Sequence, residues 1–226
     1  MSRPTRAPRI DGELTRVRLL DAAGELFAAH GPADTTGKAI AALAGADLAS
    51  INYHFGSRKG LYQAVLVEAH RRWITLRELE EIAASGLAPA GKLHRLVERV
   101  VAGSADGPAW HLRVLGRELL AQSEHLRALL RDEVEPKFRF VRRIIGEVTG
   151  IPEDDPALLP CVLGVVAPCA LLLVVDPGLP SPLQPLLRGS RAALAEDLHV
   201  FLLAGLRGAG LAYAASGTRA RARRRR

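Results

Sequence analysis

Apolar residues recur every three or four positions along most of this chain, and no stretch alternates apolar with polar residues for long. That period predicts helices throughout, an all-α protein without strands. Val17, Leu20, Gly24 and Phe27 mark a first helix from about Leu14 to His30, ended by Gly31-Pro32. Short patterns follow at 37–44 and 47–54, then a fourth helix starts near Lys59 and continues through Leu61, Val65, Ala69 and Trp73. Beyond a break at Ser85 to Gly91, helical patterns return near 92–104, 108–121, 124–149, 156–175 and 190–214. Pro136 falls inside the 124–149 pattern, where it removes a backbone donor, so that segment is either kinked or two helices.

Composition changes this picture little. The chain has 226 residues, 48% of them apolar and 4% aromatic, ample for a buried core. Its net charge of +7 is almost accounted for by the six arginines between Arg219 and Arg226, so the basic balance says little about the folded part. Residues 1–12 read as a mobile arm and 216–226 as a disordered arginine-rich tail.

Cys161 and Cys169 stand eight positions apart in one helical pattern, about 12 Å along its axis. That distance forbids a disulfide between them, and they read as small core residues. Residues 157–175 form a charge-free apolar run near the length of a bilayer span, but Pro160 and Pro168 interrupt it and aspartates bracket it. A buried core or subunit-interface helix fits better, and no membrane partner is expected. With no secretory pattern at the start of the sequence, the expected location is cytoplasmic.

The chemistry-bearing stretch is Thr36 to Leu61, TGKAIAALAGADLASINYHFGSRKGL. Ala41 is small where two helices would approach, Gly45 can adopt the left-handed backbone of a tight turn, and Ile51 can plug a shared core. Thr36, Asp47 and Ser57 stand where N-caps belong. Together these residues describe a helix-turn-helix.

Over roughly residues 13–65 the sequence resembles the TetR family of transcriptional regulators. The resemblance is carried by FAAHG, by TT-x-x-x-IA-x-x-AG, and above all by INYHFGSRKGLY. Ala46, where a larger aliphatic residue is usual, and Gly37, a poor helix former, depart from the pattern. The resemblance implies a helix-turn-helix domain over 1–60 and a larger helical ligand-binding and dimerisation domain over 61–215.

The expected function is therefore a repressor that binds a palindromic operator as a homodimer and is released by a small hydrophobic or amphipathic ligand. In the recognition helix, Leu48, Ala49, Ser50 and Asn52 can reach base edges, and Asn52 can pair with adenine through two hydrogen bonds. Asn52 can equally serve as a helix C-terminal cap. The family resemblance puts Tyr53 and His54 on phosphates, with Thr36, Lys38 and Lys59 on flanking ones; Tyr53 as a core aromatic and the lysines as solvated charges are the plainer readings. Dimerisation is expected from the 157–175 run and the final helix, whose Leu194, Leu198, Phe201, Leu202 and Leu206 lie near the small Gly205 and Gly208.

Trp110, His111, Arg117, Glu118 and Phe138 are candidate ligand contacts, with ordinary packing or surface ion pairs as the alternative. No nucleophile elbow, phosphate loop or zinc-protease motif is present, so no enzyme and no cofactor is expected. Glu196 and His199 form one Glu-x-x-His, but a di-iron bundle needs two such motifs and two further glutamates, so no metal is assigned. The rival class is a helical interaction or membrane-associated adaptor that uses the apolar run and the basic tail.

Overall fold

The computed structural model describes residues 7–103, 110–175 and 180–223, without the side chains of 7–10 and 217–223. Every regular element among the described residues is helical. The helices form two compact units: Met1–Trp73 with Pro108–Glu133, and Ile74–Gly107 with Val134–Arg226.

The first unit contains α1 (Ala7–Asp34), α2 (Gly37–Ala44), α3 (Leu48–Phe55), α4 (Arg58–Trp73), α7 (Trp110–Ala121) and α8 (Glu124–Leu129). Helix α1 begins within the stretch expected to be an arm, two turns before Leu14. Its regular course stops at Gly31, whose φ of 83° only glycine adopts readily, and Pro32 restarts a short turn. Leu19, Ala23 and Phe27 are buried on one face of α1, against α4 and α7.

The close fit of α1 to α7 depends on Gly24. A Cβ there would lie 2.5 Å from Cε3 and 2.7 Å from Cε2 of the Trp110 indole. The Arg72 guanidinium stacks over the same ring at 4.9 Å and is itself paired with Asp21 at 2.7 Å. Trp110 is thus a packing residue that joins α1, α4 and α7.

The second unit contains α5 (Leu76–Ala84), α6 (Pro89–Ala102), α9 (Glu135–Thr149), α10 (Leu158–Val174), α11 (Gln184–Arg188) and α12 (Arg191–Arg223). The apolar period of the sequence does not mark α5 and α11 as separate elements. Thr75 starts α5 with a capping box, accepting from the Glu78 N–H while Glu78 accepts from the Thr75 N–H. The expected disturbance at Pro136 is a π-helical turn over Leu130–Val134 that separates α8 from α9, so the 124–149 pattern is two helices. Helix α12 runs on to Arg223, into the segment expected to be a disordered tail.

Helix α10 buries Leu158, Cys161, Val162, Val165 and Cys169 and exposes Leu159, Leu163 and Val166. Burial pushes the Cys169 thiol up to about 11, which keeps it protonated and inert. Among the described residues one helix, α12 over Arg191–Ser216, is long and apolar enough to cross a membrane by length and composition alone. Helix α10, whose run the sequence reads as core or interface rather than as a span, is shorter at 17 residues.

Candidate nucleic-acid interface and ligand cavity

Two caps and a left-handed glycine build the helix-turn-helix. Thr36 accepts a hydrogen bond from the Ala39 N–H at 3.2 Å and starts α2. Gly45, with φ of 59° and ψ of 41°, ends it, and the Ala46 N–H closes back on the Ala41 carbonyl at 2.9 Å. Asp47 then accepts from the Ser50 N–H at 2.6 Å and from the Ser50 hydroxyl at 2.7 Å, starting α3. Those bonds hold the Asp47 carboxyl below the usual carboxylate range. Ile40, Ala41, Ala44 and Ile51 are buried where α2 and α3 pack on each other and on α1.

The departure at Gly37 has a packing reason. A Cβ there would lie 3.0 Å from Leu48 Cδ1 and 3.7 Å from Ile51 Cδ1, so the missing side chain lets α3 approach the start of α2.

The far face of α3 is bare. Leu48, Ala49, Asn52 and Tyr53 are exposed, Tyr53 at 84%, while Ser50 and His54 are half-buried. The Gly56 N–H, not the Asn52 side chain, closes the helix by donating to the Asn52 backbone carbonyl at 2.9 Å, and Gly56 is the cap residue. The Ser50 hydroxyl is committed to Asp47, which removes its donor from a base edge. The Tyr53 and His54 rings meet edge to face at 4.9 Å.

Thr36 and Lys38 are exposed at the start of α2. Lys59 is also exposed, and its ammonium pairs with Glu124 at 3.3 Å. Such a surface pair is worth at most about 1 kcal/mol, so a phosphate can displace it.

Arg58 lies inside the INYHFGSRKGLY stretch but is not among the contacts the sequence points to, as its neighbour Lys59 is. Its guanidinium donates to the carbonyls of Pro32 at 3.0 Å and Thr35 at 2.5 Å, fastening the α1–α2 connection to the first turn of α4. Arg16 stacks over Phe55 at 5.5 Å and braces the end of α3. Gly60 lies against the Phe55 carbonyl with no room for a Cβ. Together these contacts tie α3 and α4 to each other and to α1 and the α1–α2 connection, and only the spacing of FGSRKG in the sequence hints at them.

A cavity of about 640 Å³ opens in the same unit, with Phe27, Tyr62 and Leu120 among its apolar lining and Arg58, Lys59 and Arg117 among its cationic lining. On its wall the buried Glu118 carboxylate accepts from the Tyr62 hydroxyl at 2.7 Å and from the Ser123 hydroxyl. Burial, then the bond to Glu118, raises the Tyr62 phenol well above its usual range.

The five ligand candidates do not share this space. Arg117 and Glu118 line it. Trp110 is packed against Gly24, and His111 stands beside it with the two rings edge to face at 6.1 Å. Phe138 belongs to α9 in the second unit and lines none of this cavity.

Comparison with known proteins gives matches over both parts of the chain. The family model "Bacterial regulatory proteins, tetR family" matches residues 19–65. The model "HTH-type transcriptional dual regulator CecR, C-terminal domain" matches residues 89–206, just over half of the chain. No curated protein matches.

Several solved structures are similar in fold. A TetR-like transcriptional regulator from Rhodococcus sp. RHA1 is 20% identical, with 91% of this chain and 100% of that chain covered, at a TM-score of 0.61. The regulator FadR from Bacillus subtilis, in complex with stearoyl-CoA, is 16% identical over 84% of this chain and 98% of its own, at 0.66. AibR, in complex with isovaleryl coenzyme A and operator DNA, is 12% identical over 84% and 98%, at 0.65.

Proposed function

The chain belongs to the TetR family of bacterial regulatory proteins, with a C-terminal domain of the CecR type, and on that premise we propose a homodimeric repressor released from a palindromic operator by an amphipathic small molecule. As a member of that family it is a DNA-binding regulator rather than an enzyme.

The observation that carries the DNA-binding reading is the division of α3: Ile51 is buried, while Leu48, Ala49, Asn52 and Tyr53 stand clear of every packed face. An eight-residue helix fits the major groove, about 12 Å wide. Asn52 reads a base edge, Leu48 and Ala49 touch thymine methyl groups, and Thr36, Lys38, Tyr53, His54 and Lys59 set the register through phosphates. Ser50 contributes shape rather than a donor, because its hydroxyl serves the cap.

So few base contacts per chain call for two copies on half-sites about one helical turn apart. Of the α12 residues expected at the interface, Leu194, Leu202 and Leu206 are buried within the chain and Leu198 is half-buried, so the faces left for a partner are Leu159, Leu163 and Val166 on α10 and Phe201, Gly205, Gly208 and Leu211 on α12. Two such helices from each chain make a four-helix interface.

The ligand reading rests on the cavity beside Tyr62. Its volume is typical of small-molecule sites, and its lining joins apolar rings to three cations and to the Glu118 carboxylate, which Tyr62 and Ser123 already satisfy. An acyl chain ending in an anionic group has that character, and FadR with stearoyl-CoA and AibR with isovaleryl coenzyme A pair this fold with acyl-CoA ligands. Arg58 and Tyr62 belong to the opening turns of α4, directly after the turn that ends α3. A ligand that displaces them moves the recognition helix and shifts the population away from the DNA-bound form. Such a protein acts where the chromosome is, in the cytoplasm.

Selection of bound duplexes from random DNA tests the reading, repeated with Asn52→Ala and Tyr53→Ala and across a salt series. A palindromic motif lost in both variants supports it. Binding without sequence preference that depends on the arginine-rich end overturns it and favours an adaptor.

A further inference from the structure

Beyond the DNA and ligand sites, we propose that His94, Glu196 and His199 form a binding site for a divalent transition-metal ion of the zinc class, joining α6 to α12. His94 is on α6, and Glu196 and His199 share one face of α12 three residues apart. One ring nitrogen or carboxylate oxygen from each lies within 4.8 Å of the others. Four ligands at zinc distances of about 2.1 Å stand roughly 3.4 Å apart, so a small side-chain adjustment closes the set.

The tautomer of His199 carries the argument. Its Nε2 lies 3.1 Å from the Ala90 carbonyl. A carbonyl only accepts, so Nε2 holds the proton, and Nδ1 is left with a bare lone pair. That Nδ1 is buried and has no hydrogen-bond partner. Metal-bound histidines are typically held in this way, the far N–H given to a backbone carbonyl and the near nitrogen aimed at the ion.

An ion pair alone leaves this nitrogen unexplained. His94 Nε2 sits 3.0 Å from Glu196 Oε2, which would suffice for a surface salt bridge. But the His94 and His199 rings also meet at 4.6 Å with 37° between their planes. A proton on His94 satisfies Glu196 and does nothing for His199 Nδ1, whereas one cation satisfies all three.

The donor set is two imidazoles and a carboxylate with no thiolate, which suits Zn²⁺ and its neighbours rather than Ca²⁺ or Mg²⁺. Three protein ligands leave the fourth position to water. The Glu196 side chain is 58% exposed, so the ion can enter from solvent. Glu98 Oε1, 3.9 Å from His94 Nε2, is near enough to accept from that water. Residues 94 and 196 are far apart in sequence, so the ion acts as a cross-link within the second unit, and it holds the helix whose exposed face carries Phe201.

Full-length protein, with any affinity tag removed and stripped with a chelator, is titrated with ZnCl₂ in competition with a chromophoric chelator. The expected result is one saturable ion per chain. Losing even an outer-shell partner of a metal site costs about 10–100-fold in affinity, so His94→Ala, His199→Ala and Glu196→Gln should each cost at least about a hundredfold. His30→Ala, at an exposed position on α1, leaves the affinity unchanged. Co²⁺ should give ligand-field absorption bands that Zn²⁺ abolishes, and Zn²⁺ should raise Tm in the wild type but not in Glu196→Gln. Glu196 is exposed, so that variant folds whatever the fate of the histidine variants. Zinc affinity that is the same in the wild type and in Glu196→Gln, or the absence of a saturable site in the wild type, overturns the proposal.

Discussion

The Tyr62 hydroxyl donates a 2.7 Å hydrogen bond to Glu118, whose carboxylate is buried at 2% exposure. Tyr62 is one turn past the start of α4, so this bond ties the helix that follows the recognition element to α7. In Tyr62→Phe the carboxylate keeps only the Ser123 hydroxyl of this pair, and a buried acceptor that loses a partner costs about 1–3 kcal/mol. Urea denaturation should show that loss as a lower midpoint at an unchanged slope.

The same phenol gives the stability a pH dependence. Burial and the bond to Glu118 favour its protonated form, so the folded-state pKa lies above the ordinary value of 10.0. The stabilisation is fully present below pH 10 and is lost as the pH rises above it, because only the unfolded chain releases the proton easily. Chemical denaturation between neutral pH and alkali should show a fall that Tyr62→Phe largely removes.

Gly24→Ala pits helix propensity against packing. Alanine gains about 1 kcal/mol in a helix interior. The new methyl would meet three Trp110 ring atoms at 2.7 Å or less, and overpacking of a tight core costs about 1–3 kcal/mol. The clash is with a rigid indole pinned by Arg72, so the net effect should be destabilising, with altered tryptophan fluorescence as the reporter.

On DNA, Asn52→Ala and Lys38→Ala should differ in kind. Losing a base-edge pair costs about 1–3 kcal/mol and relaxes preference at one position of each half-site. Losing a phosphate contact weakens binding on all sequences alike and lowers the slope of log K against log salt by about 1. Binding isotherms on the selected operator and on single-base variants of it distinguish the two.

Phe201 is 76% exposed although it is the largest apolar side chain on α12. In Phe201→Asp a charge enters the face proposed for the dimer, and sedimentation velocity should report monomers with unchanged helical content. A variant that stays dimeric would move the interface elsewhere.

Much of the helix-turn-helix could be read along the chain because its determinants are local. Thr36 and Asp47 cap within three residues, and Gly45 closes its turn over four. Ile51 needs only the period of its own helix to face inward. The all-α class is equally local, since the apolar period runs through most elements, and the TetR resemblance rests on contiguous residues for the same reason.

What the sequence determined by itself was therefore most of the helices, their caps and which residues of α3 stay exposed, all set by interactions spanning a few residues. Only the tertiary structure decided that Trp110 is packing against Gly24, that Arg117 and Glu118 line a cavity with Tyr62 while Phe138 does not, and that His94 meets Glu196 and His199. Those pairs are separated by tens of residues, and α-helical periodicity places a side chain on a face without saying which other helix that face will meet.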